Sequence, residues 1–288
     1  MTRSLAPLLL VACGGAVPTL DFVPPAAAPV DLDAPGPIVH EAVVSARWAV
    51  PLEGLVDLDD ARAAELSPGE HDIVLPVHVL THPTAGVFVI DTGVPRADSP
   101  ARGLIARFAG AIEPVEPLGA ILDRQEGPLT SVFLTHAHLD HVLGLVDVPE
   151  GVSIHAGRGE EAPANFEGRL TFPTFARALG DRTLTTWNFD ASGLDVGGVR
   201  AIDVLGDGSL YALDANGHTP GSTAYLARTT EGPALFTGDC SHTRWGWDHG
   251  VTPGTYTVDH EANAHSLAAL RGLAADHPSM QVFVGHEL

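Results

Sequence analysis

The sequence predicts a single-domain α/β (α+β) protein in which two β-sheets pack together and helices cover them. The chain has 288 residues and is 45% hydrophobic, which suffices for one large domain with a sizeable core. Short β-branched runs dominate its first part, and helical patterns separate the later strands. This order of elements is typical of folds with two sheets inside and helices outside.

The first predicted elements form a hairpin. Ordered structure is expected from about His40, and the β-branched runs Asp72–Leu80 and Gly86–Ile90 flank a turn that contains Pro and Gly. A helical pattern follows at Arg102–Ile112. The apolar run Thr130–Leu134 is typical of a buried strand.

The second half alternates short strands with helices. The mixed residues 157–181 are expected to form helix and loop, and Glu261–Ala275 carries apolar side chains at helical spacing. Further strands are predicted at Val152–His155, Leu184–Trp187, Val199–Val204, Leu210–Leu213, Ser222–Ala227, Ala234–Phe236 and Gln281–Val284.

The charge balance argues against a nucleic-acid partner. The chain has 15 basic residues, all of them Arg, against 36 acidic ones, which gives a formal net charge of −21. A surface this acidic repels phosphate backbones and also disfavours strongly anionic substrates. We therefore expect a small-molecule substrate, and the sequence leaves the oligomeric state open.

The N-terminus resembles a bacterial lipoprotein signal. Residues 1–13 contain a positive charge at Arg3 and a short apolar stretch that ends at Cys13, in the arrangement of a lipobox. The stretch is shorter than the ~20 residues of a membrane span. We expect lipidation of Cys13, which would anchor the protein in the bacterial cell envelope, on the periplasmic face or the outer membrane. A flexible Pro- and Ala-rich tether is expected over residues 14–39, followed by a catalytic domain over residues 40–288.

A dense group of potential metal ligands follows the strand predicted at Thr130–Leu134. His136, His138, Asp140 and His141 all lie within six residues. At a turn from strand to loop, the first two side chains can face one metal while the other two face a second. Imidazole and carboxylate suit Zn²⁺, and Fe, Mn and Co also accept them.

The spacing HxHxDH is the signature of the metallo-β-lactamase superfamily, which the chain resembles in four further motifs. These are Asp91-Thr92-Gly93, Gly217-His218-Thr219-Pro220-Gly221, Thr237-Gly238-Asp239 and Gly285-His286, in that order along the chain. The resemblance extends from about residue 72 to residue 286. It implies an αββα sandwich, which agrees with the predicted order of elements.

The resemblance also implies a centre with two divalent metal ions, for which zinc is the expected metal. The implied ligands are His136, His138 and His218 for the first ion, Asp140, His141 and His286 for the second, and Asp239 between them. Asp91 is expected behind the site, where it orients a ligand. The implied reaction is hydrolysis of a lactone or related carboxylic ester by a metal-bridging hydroxide, with Asp140 or Asp239 as the group that accepts and returns a proton.

The motifs most resemble those of N-acyl-homoserine lactone lactonases. Residues 75–93 match the lactonase pattern of a hairpin that leads into Asp-Thr-Gly, whereas zinc β-lactamases commonly have Cys at the bridging position. Cys240 comes one residue too late for that role, and we expect a buried thiol. Lactonases usually place Tyr three residues after the bridging Asp. Here that residue is His242, a candidate donor to a carbonyl or leaving group.

Several alternatives stay open at this stage. Trp245 and Trp247 are candidates for the wall of an apolar substrate pocket, or they pack as ordinary loop residues. A glyoxalase II-like thioesterase, an iron-dependent persulfide dioxygenase-like enzyme and a non-catalytic metal-binding protein share parts of the pattern. The complete ligand set favours an enzyme.

Overall fold

The computed structural model describes residues 16–25, 27, 30–99, 112–163 and 166–288. Over these ranges the chain forms two β-sheets that pack face to face. One apolar cluster lies between the sheets, and two others join the outer faces to helices. The predicted fold class, a single-domain αββα sandwich, is confirmed.

The strands of the described residues divide into a larger and a smaller sheet. The larger sheet contains β1 (Thr19–Asp21), β2 (Val39–Pro51), β3 (Glu70–His82), β4 (Gly86–Ile90), β5 (Glu113–Pro114), β6 (Leu129–Phe133), β7 (Ser153–Gly157) and β8 (Leu184–Trp187), in the order β1-β8-β7-β6-β4-β3-β2-β5. The smaller sheet contains β9 (Leu194–Val196), β10 (Val199–Asp203), β11 (Leu210–Asp214), β12 (Thr223–Thr229), β13 (Gly232–Phe236) and β14 (Gln281–Phe283), in the order β14-β13-β12-β11-β10-β9.

The helices connect the strands. In the described part of the chain these are α1 (Leu52–Leu55), α2 (Leu118–Asp123), α3 (Leu139–Val142), α4 (Phe166–Leu179), α5 (Phe189–Ser192), α6 (Arg244–His249) and α7 (His260–Asp276), with 3₁₀ turns at Ala61–Ala63, Leu143–Asp147 and Gly238–Cys240. In α7 the buried side chains Leu267, Leu270 and Leu273 face the smaller sheet. This confirms the helix predicted at Glu261–Ala275.

Four neighbouring strands of the larger sheet, β4, β6, β7 and β8, run parallel. Parallel strands are covered on both faces, which agrees with the continuous apolar run of β4, whereas β6, β7 and β8 also contain polar residues. Strand β4 also pairs with β3 in the predicted hairpin. Because β4 and β6 are parallel neighbours, the loops that follow them emerge at the same edge of the sheet.

The core between the sheets is aromatic and contains paired polar groups. The rings of Phe133 in β6 and Tyr225 in β12 lie 5.7 Å apart. The Tyr225 hydroxyl donates to the Leu134 carbonyl at 2.8 Å and accepts from Trp187 Nε1 at 3.0 Å. A buried Tyr and Trp with satisfied polar atoms fix how the two sheets face each other.

Strand β2 has no counterpart among the elements predicted from the sequence. It pairs with β3 along its whole length, but the register shifts between Val44 and Ala46. Such a bulge interrupts the alternation of inward and outward side chains, which is the main sequence signal of a strand.

The expectation of a flexible tether over residues 14–39 is wrong for the part that the structure describes. Strand β1 pairs in parallel with β8. The Phe22 ring packs against Trp187 at 4.8 Å, and Ile38 is fully buried. These apolar side chains gain free energy by burial, and the edge strand pairs the backbone, so the segment docks on the domain.

Some predictions fall outside the described residues. They include the signal peptide over residues 1–13, the lipidation of Cys13, and nearly all of the helix predicted at Arg102–Ile112. Among the described helices, none combines the length and apolar character that crossing a bilayer requires.

Candidate metal centre

The seven predicted metal ligands converge at one edge of the sandwich. They lie in the loops that follow β6, β11, β13 and β14. The loop after β6 turns into the short helix α3, whose second and third residues are Asp140 and His141. Loops at this edge are held by the buried strands below them, so the ligand positions are set by the sandwich itself.

The first ligand cluster consists of His136, His138, His218 and Asp239, whose ligand atoms lie within 4.8 Å of one another. His218 Nε2 is 3.0 Å from His138 Nδ1 and 3.5 Å from Asp239 Oδ2. His136 Nε2 is 3.6 Å from the same carboxylate oxygen. Three imidazole nitrogens and one carboxylate therefore surround a single small volume.

The second ligand cluster consists of Asp140, His141 and His286. Asp140 Oδ2 is 3.6 Å from His141 Nε2 and 3.5 Å from His286 Nε2. The two imidazoles are also 3.4 Å and 3.3 Å from Asp239 Oδ2. Asp239 thus faces both clusters, as the sequence motifs imply.

The residues present fit a pair of cations. Three buried atoms of these clusters, His136 Nε2, His141 Nε2 and Asp239 Oδ1, have no hydrogen-bond partner among the described residues. Buried polar atoms are nearly always paired, and unpaired ones destabilise the fold. Imidazole nitrogens and carboxylate oxygens that converge in this way are typical ligands of zinc and related divalent ions.

The electrostatics of the first cluster favour the metal-binding form of its ligands. Burial lowers the pKa of His136 and of His218 well below the usual value, and it lowers the pKa of His138 to about 4. These imidazoles are therefore neutral at pH 7, as metal ligation requires. Burial by itself would raise the pKa of Asp239. The neighbouring histidines, His286 foremost, outweigh burial and hold this pKa well below its usual value.

The second cluster differs because its histidines lie against more carboxylates. Burial opposes protonation of His141, but Asp239 and Asp91 outweigh it and raise the pKa well above the usual value. The pKa of His286 is raised in the same way, since Asp239 outweighs burial. A cation that binds these two imidazoles therefore competes with a proton more strongly than a cation at the first cluster does.

Asp91 lies behind the second cluster, where the sequence predicts it. Its Oδ2 accepts from His141 Nδ1 at 2.7 Å and from Thr135 Oγ1 at 2.8 Å, while its Oδ1 accepts from Thr135 N at 2.8 Å. These bonds fix the His141 ring with Nε2 toward the cluster. Asp91 has φ of 57°, a left-handed conformation that costs of order 1–3 kcal/mol outside Gly.

Glu160 is a buried carboxylate that sequence reasoning missed. It accepts hydrogen bonds from Ala137 N at 2.7 Å, from Gly221 N at 2.9 Å and from the Thr219 hydroxyl. Burial raises its pKa to about 6, although these hydrogen bonds oppose the shift. Glu160 therefore ties the loop of His136 and His138 to the loop of His218. No motif surrounds it, so only the folded chain reveals this contact.

Two glycines let the loops approach each other. A Cβ on Gly285 would lie 2.3 Å from Asp239 Oδ1, and a Cβ on Gly238 would lie 2.7 Å from the Thr135 Cβ. Gly238 also has φ of 51°. The glycines of the Thr-Gly-Asp and Gly-His motifs are therefore required by close packing around the bridging carboxylate.

His242, the predicted hydrogen-bond donor, lies at the second cluster. It is buried, with Nε2 at 2.9 Å from Asp239 Oδ2 and Nδ1 at 3.2 Å from the Leu55 carbonyl. Cys240 points away into the core of the smaller sheet, and burial raises the pKa of its thiol, in keeping with the predicted buried thiol.

The two tryptophans lie in different places. Trp245 is partly buried and belongs to an apolar cluster that also contains Leu139, the residue between His138 and Asp140. Trp247 is buried in the core of the smaller sheet, so of the two roles that the sequence leaves open it has ordinary packing and not the wall of a substrate pocket. The two residues are two positions apart on the short helix α6, a spacing that places them on different faces.

An αββα sandwich with two His/Asp clusters at one edge and a carboxylate between them defines a class of dinuclear metalloproteins. The sequence model of the Metallo-beta-lactamase superfamily matches residues 73–286. The chain belongs to this superfamily, which confirms the resemblance drawn from the motifs.

Relatives of known activity extend the comparison. The N-acyl homoserine lactonase AttM of Azorhizobium caulinodans is 29% identical over 237 residues, which cover 76% of this chain and 83% of the relative. The N-acyl homoserine lactonase AttM of Agrobacterium fabrum is 28% identical over 234 residues, with the same coverage of both chains. The similarity to lactonase-like members is therefore confirmed.

Solved structures agree with the fold. The AiiA protein of B. thuringiensis, solved with N-decanoyl-L-homoserine at its active site, aligns with a TM-score of 0.65 and 20% identity over 86% of this chain and 93% of that one. AidC, a dizinc quorum-quenching lactonase, aligns with a TM-score of 0.57 and 16% identity over 88% and 89% of the two chains.

Proposed function

We propose that this protein is a dinuclear metallohydrolase that opens lactone rings, with N-acyl-homoserine lactones as its first candidate substrates. The observation that carries the proposal is the pair of ligand clusters that share Asp239 Oδ2. The AttM relatives, which are named as N-acyl homoserine lactonases and match across three quarters of the chain, support the choice of substrate.

The proposed metal is zinc at both clusters. His136, His138 and His218 would hold one ion, Asp140, His141 and His286 the other, and Asp239 would contact both. Divalent ions bound there supply Lewis acidity toward the ester carbonyl and acidify water, so that a nucleophile exists near pH 7.

Asp140 is the residue best suited to move a proton. Its side chain is 15% exposed, whereas that of Asp239 is 4% exposed and faces imidazoles of both clusters. Asp140 Oδ2 can therefore accept a proton from attacking water and return it to the leaving oxygen, while Asp239 would serve as the carboxylate that holds both ions.

An uncharged lactone with an apolar acyl chain suits the surroundings of the site. The half-buried Leu139 packs in an apolar cluster with Trp48, Leu52 and Trp245, and this surface adjoins His138 and Asp140 along the chain. The strongly acidic protein repels anionic substrates, while a neutral ester carries no such penalty.

A pH-indicator assay on zinc-loaded full-length protein tests the proposal with N-acyl-homoserine lactones, simple lactones and thioesters. Acid release from lactones is expected, and His138→Ala is expected to abolish it, while the exposed His265→Ala retains it. Turnover of thioesters alone would favour a glyoxalase II-like enzyme. Oxygen uptake with one iron per chain would favour a dioxygenase, and metal binding without turnover would favour a non-catalytic protein.

We further propose that Cys13 is lipidated and anchors the protein in the bacterial cell envelope. The lipobox-like residues 1–13 support this location. Metabolic labelling with a fatty acid is expected to mark the wild-type protein in the membrane fraction. Cys13→Ser is expected to be unlabelled and released, and a labelled variant would refute the assignment.

A further inference from the structure

We infer that His242 is an additional metal ligand of the second cluster. The centre would then hold a sixth imidazole, beyond the five of His136, His138, His141, His218 and His286. The inference rests on the proposed dinuclear centre. It changes the ligand set that the sequence motifs imply, since there His242 is at most a donor to substrate.

The placement of His242 matches that of the ligand His286. His286 has Nδ1 at 3.0 Å from the Val74 carbonyl and Nε2 at 3.3 Å from Asp239 Oδ2. His242 has Nδ1 at 3.2 Å from the Leu55 carbonyl and Nε2 at 2.9 Å from the same carboxylate oxygen. Both rings therefore rest on a backbone carbonyl and turn the other nitrogen into the cluster. Asp239, His242 and His286 together form a third group with ligand spacing.

The hydrogen bonds determine what His242 Nε2 can do. If Nδ1 donates its proton to the Leu55 carbonyl, Nε2 of a neutral ring carries a lone pair that faces the Asp239 carboxylate. Two acceptors at 2.9 Å repel each other unless a proton or cation lies between them. A shared metal ion resolves this conflict.

The backbone holds His242 in place for this role. His286 N donates to the His242 carbonyl at 2.9 Å, and Gly285 N donates to the Ser241 carbonyl at 2.9 Å. The two imidazoles lie side by side with ring centroids 5.4 Å apart, and the His218 ring packs edge-on against His242 at 5.0 Å. The ring is thus positioned before any ion binds, as efficient ligation requires.

An imidazole at this position has a chemical consequence. It adds a nitrogen donor to a cluster that otherwise mixes two imidazoles with carboxylates. Nitrogen-rich sites discriminate more strongly for zinc over manganese than oxygen-rich sites do. The second cluster is therefore expected to select zinc over manganese, and removal of the His242 ring should weaken this selection.

X-ray absorption at the zinc edge tests the inference on full-length protein loaded with two zinc ions, because outer-shell scattering counts imidazole ligands. The wild type is expected to show six imidazoles shared by two ions, and His242→Phe five. In the His242→Phe variant, the affinity of the second cluster for its ion should fall by more than about 100-fold. This exceeds the roughly 10–100-fold loss that follows removal of a residue which only orients a metal ligand. His265→Phe, on the exposed face of α7, is the matched control and should change neither value.

The outcomes separate this inference from the proposed function. A wild type that binds two zinc ions and opens lactones, but shows five imidazoles, would overturn the inference and leave the function intact. A wild type that binds fewer than two ions would overturn both. The wild-type count decides the matter even if His242→Phe fails to fold, and His242→Tyr, which keeps an aromatic ring, gives a second variant for the comparison.

Discussion

Replacing Asp91 with Asn is expected to weaken metal binding in the second cluster much more than in the first. Asp91 Oδ2 accepts from both His141 Nδ1 and Thr135 Oγ1, and its Oδ1 accepts from Thr135 N. An amide keeps one acceptor oxygen, and its NH₂ group cannot accept from any of these donors. Whichever way the amide turns, at least one buried donor faces another donor.

The size of the effect follows from these contacts. Loss of a partner that orients a metal-bound His typically weakens affinity about 10–100-fold, or roughly 1.4–2.8 kcal/mol. The full effect is expected at the second cluster because His141 is the imidazole that Asp91 contacts directly. The first cluster is reached only through the Thr135 hydroxyl, which lies 3.1 Å from His136 Nδ1.

Stepwise removal of zinc by a competing chelator measures both affinities in one experiment. The expected result for Asp91→Asn is an early loss of one ion, while the other leaves at nearly the wild-type chelator concentration. Activity with excess zinc should be partly restored, because the ligands themselves remain. If both ions leave in parallel, or if neither affinity changes, the assigned role of Asp91 is wrong.

Three further predictions follow from named contacts. Glu160→Gln should weaken metal binding at the first cluster rather than at the second, because Glu160 accepts hydrogen bonds from the backbones of Ala137 and Gly221. The same chelator titration checks this, and preferential loss of the ion from the second cluster would contradict it. Trp245→Ala should raise KM for long-chain lactones several-fold, whereas Trp247→Ala should lower the free energy of unfolding by about 3–5 kcal/mol with KM unchanged; the reverse pattern would refute the placement of these rings. Burial lowers the pKa of His155 to about 4, so the unfolded chain takes up its proton first. The stability that this histidine provides is present above pH 6.5 and is lost as the pH falls toward 4. His155→Phe should reduce that loss in urea titrations, and an equal loss in the variant would show that folding does not shift the pKa of His155.

The fold could be predicted largely because most of the central strands leave a local signal in the sequence. Strand β4 is a continuous apolar run that pairs with β3 in a hairpin, and α7 repeats apolar residues at helical spacing. Strand β2 left no such signal because its bulge breaks the alternation. The docking of Phe22 and Ile38 depends on partners more than 150 residues away along the chain, so composition alone suggested a loose segment.

The metal ligands could be predicted for a different reason. The ligands must reach one centre from short loops that follow strands, so they recur at short, recognisable spacings in the sequence. Close packing at Gly238 and Gly285 also restricts the loops around Asp239. Glu160 and the pairing of His242 with Leu55 could not be predicted, because both depend on contacts between loops that are distant in sequence. Trp245 and Trp247 look equivalent in the sequence, and only the turn of α6 places one in the apolar cluster that includes Leu139 and the other in the core of the smaller sheet.

The most direct test of the proposed metal centre is a crystal structure of the zinc-soaked protein with anomalous data collected at the zinc edge. The account predicts two anomalous peaks, one among His136, His138 and His218 and the other among Asp140, His141 and His286, with Asp239 contacting both. A single peak, or peaks away from these side chains, would contradict the central claim that this edge of the sandwich holds a dinuclear centre.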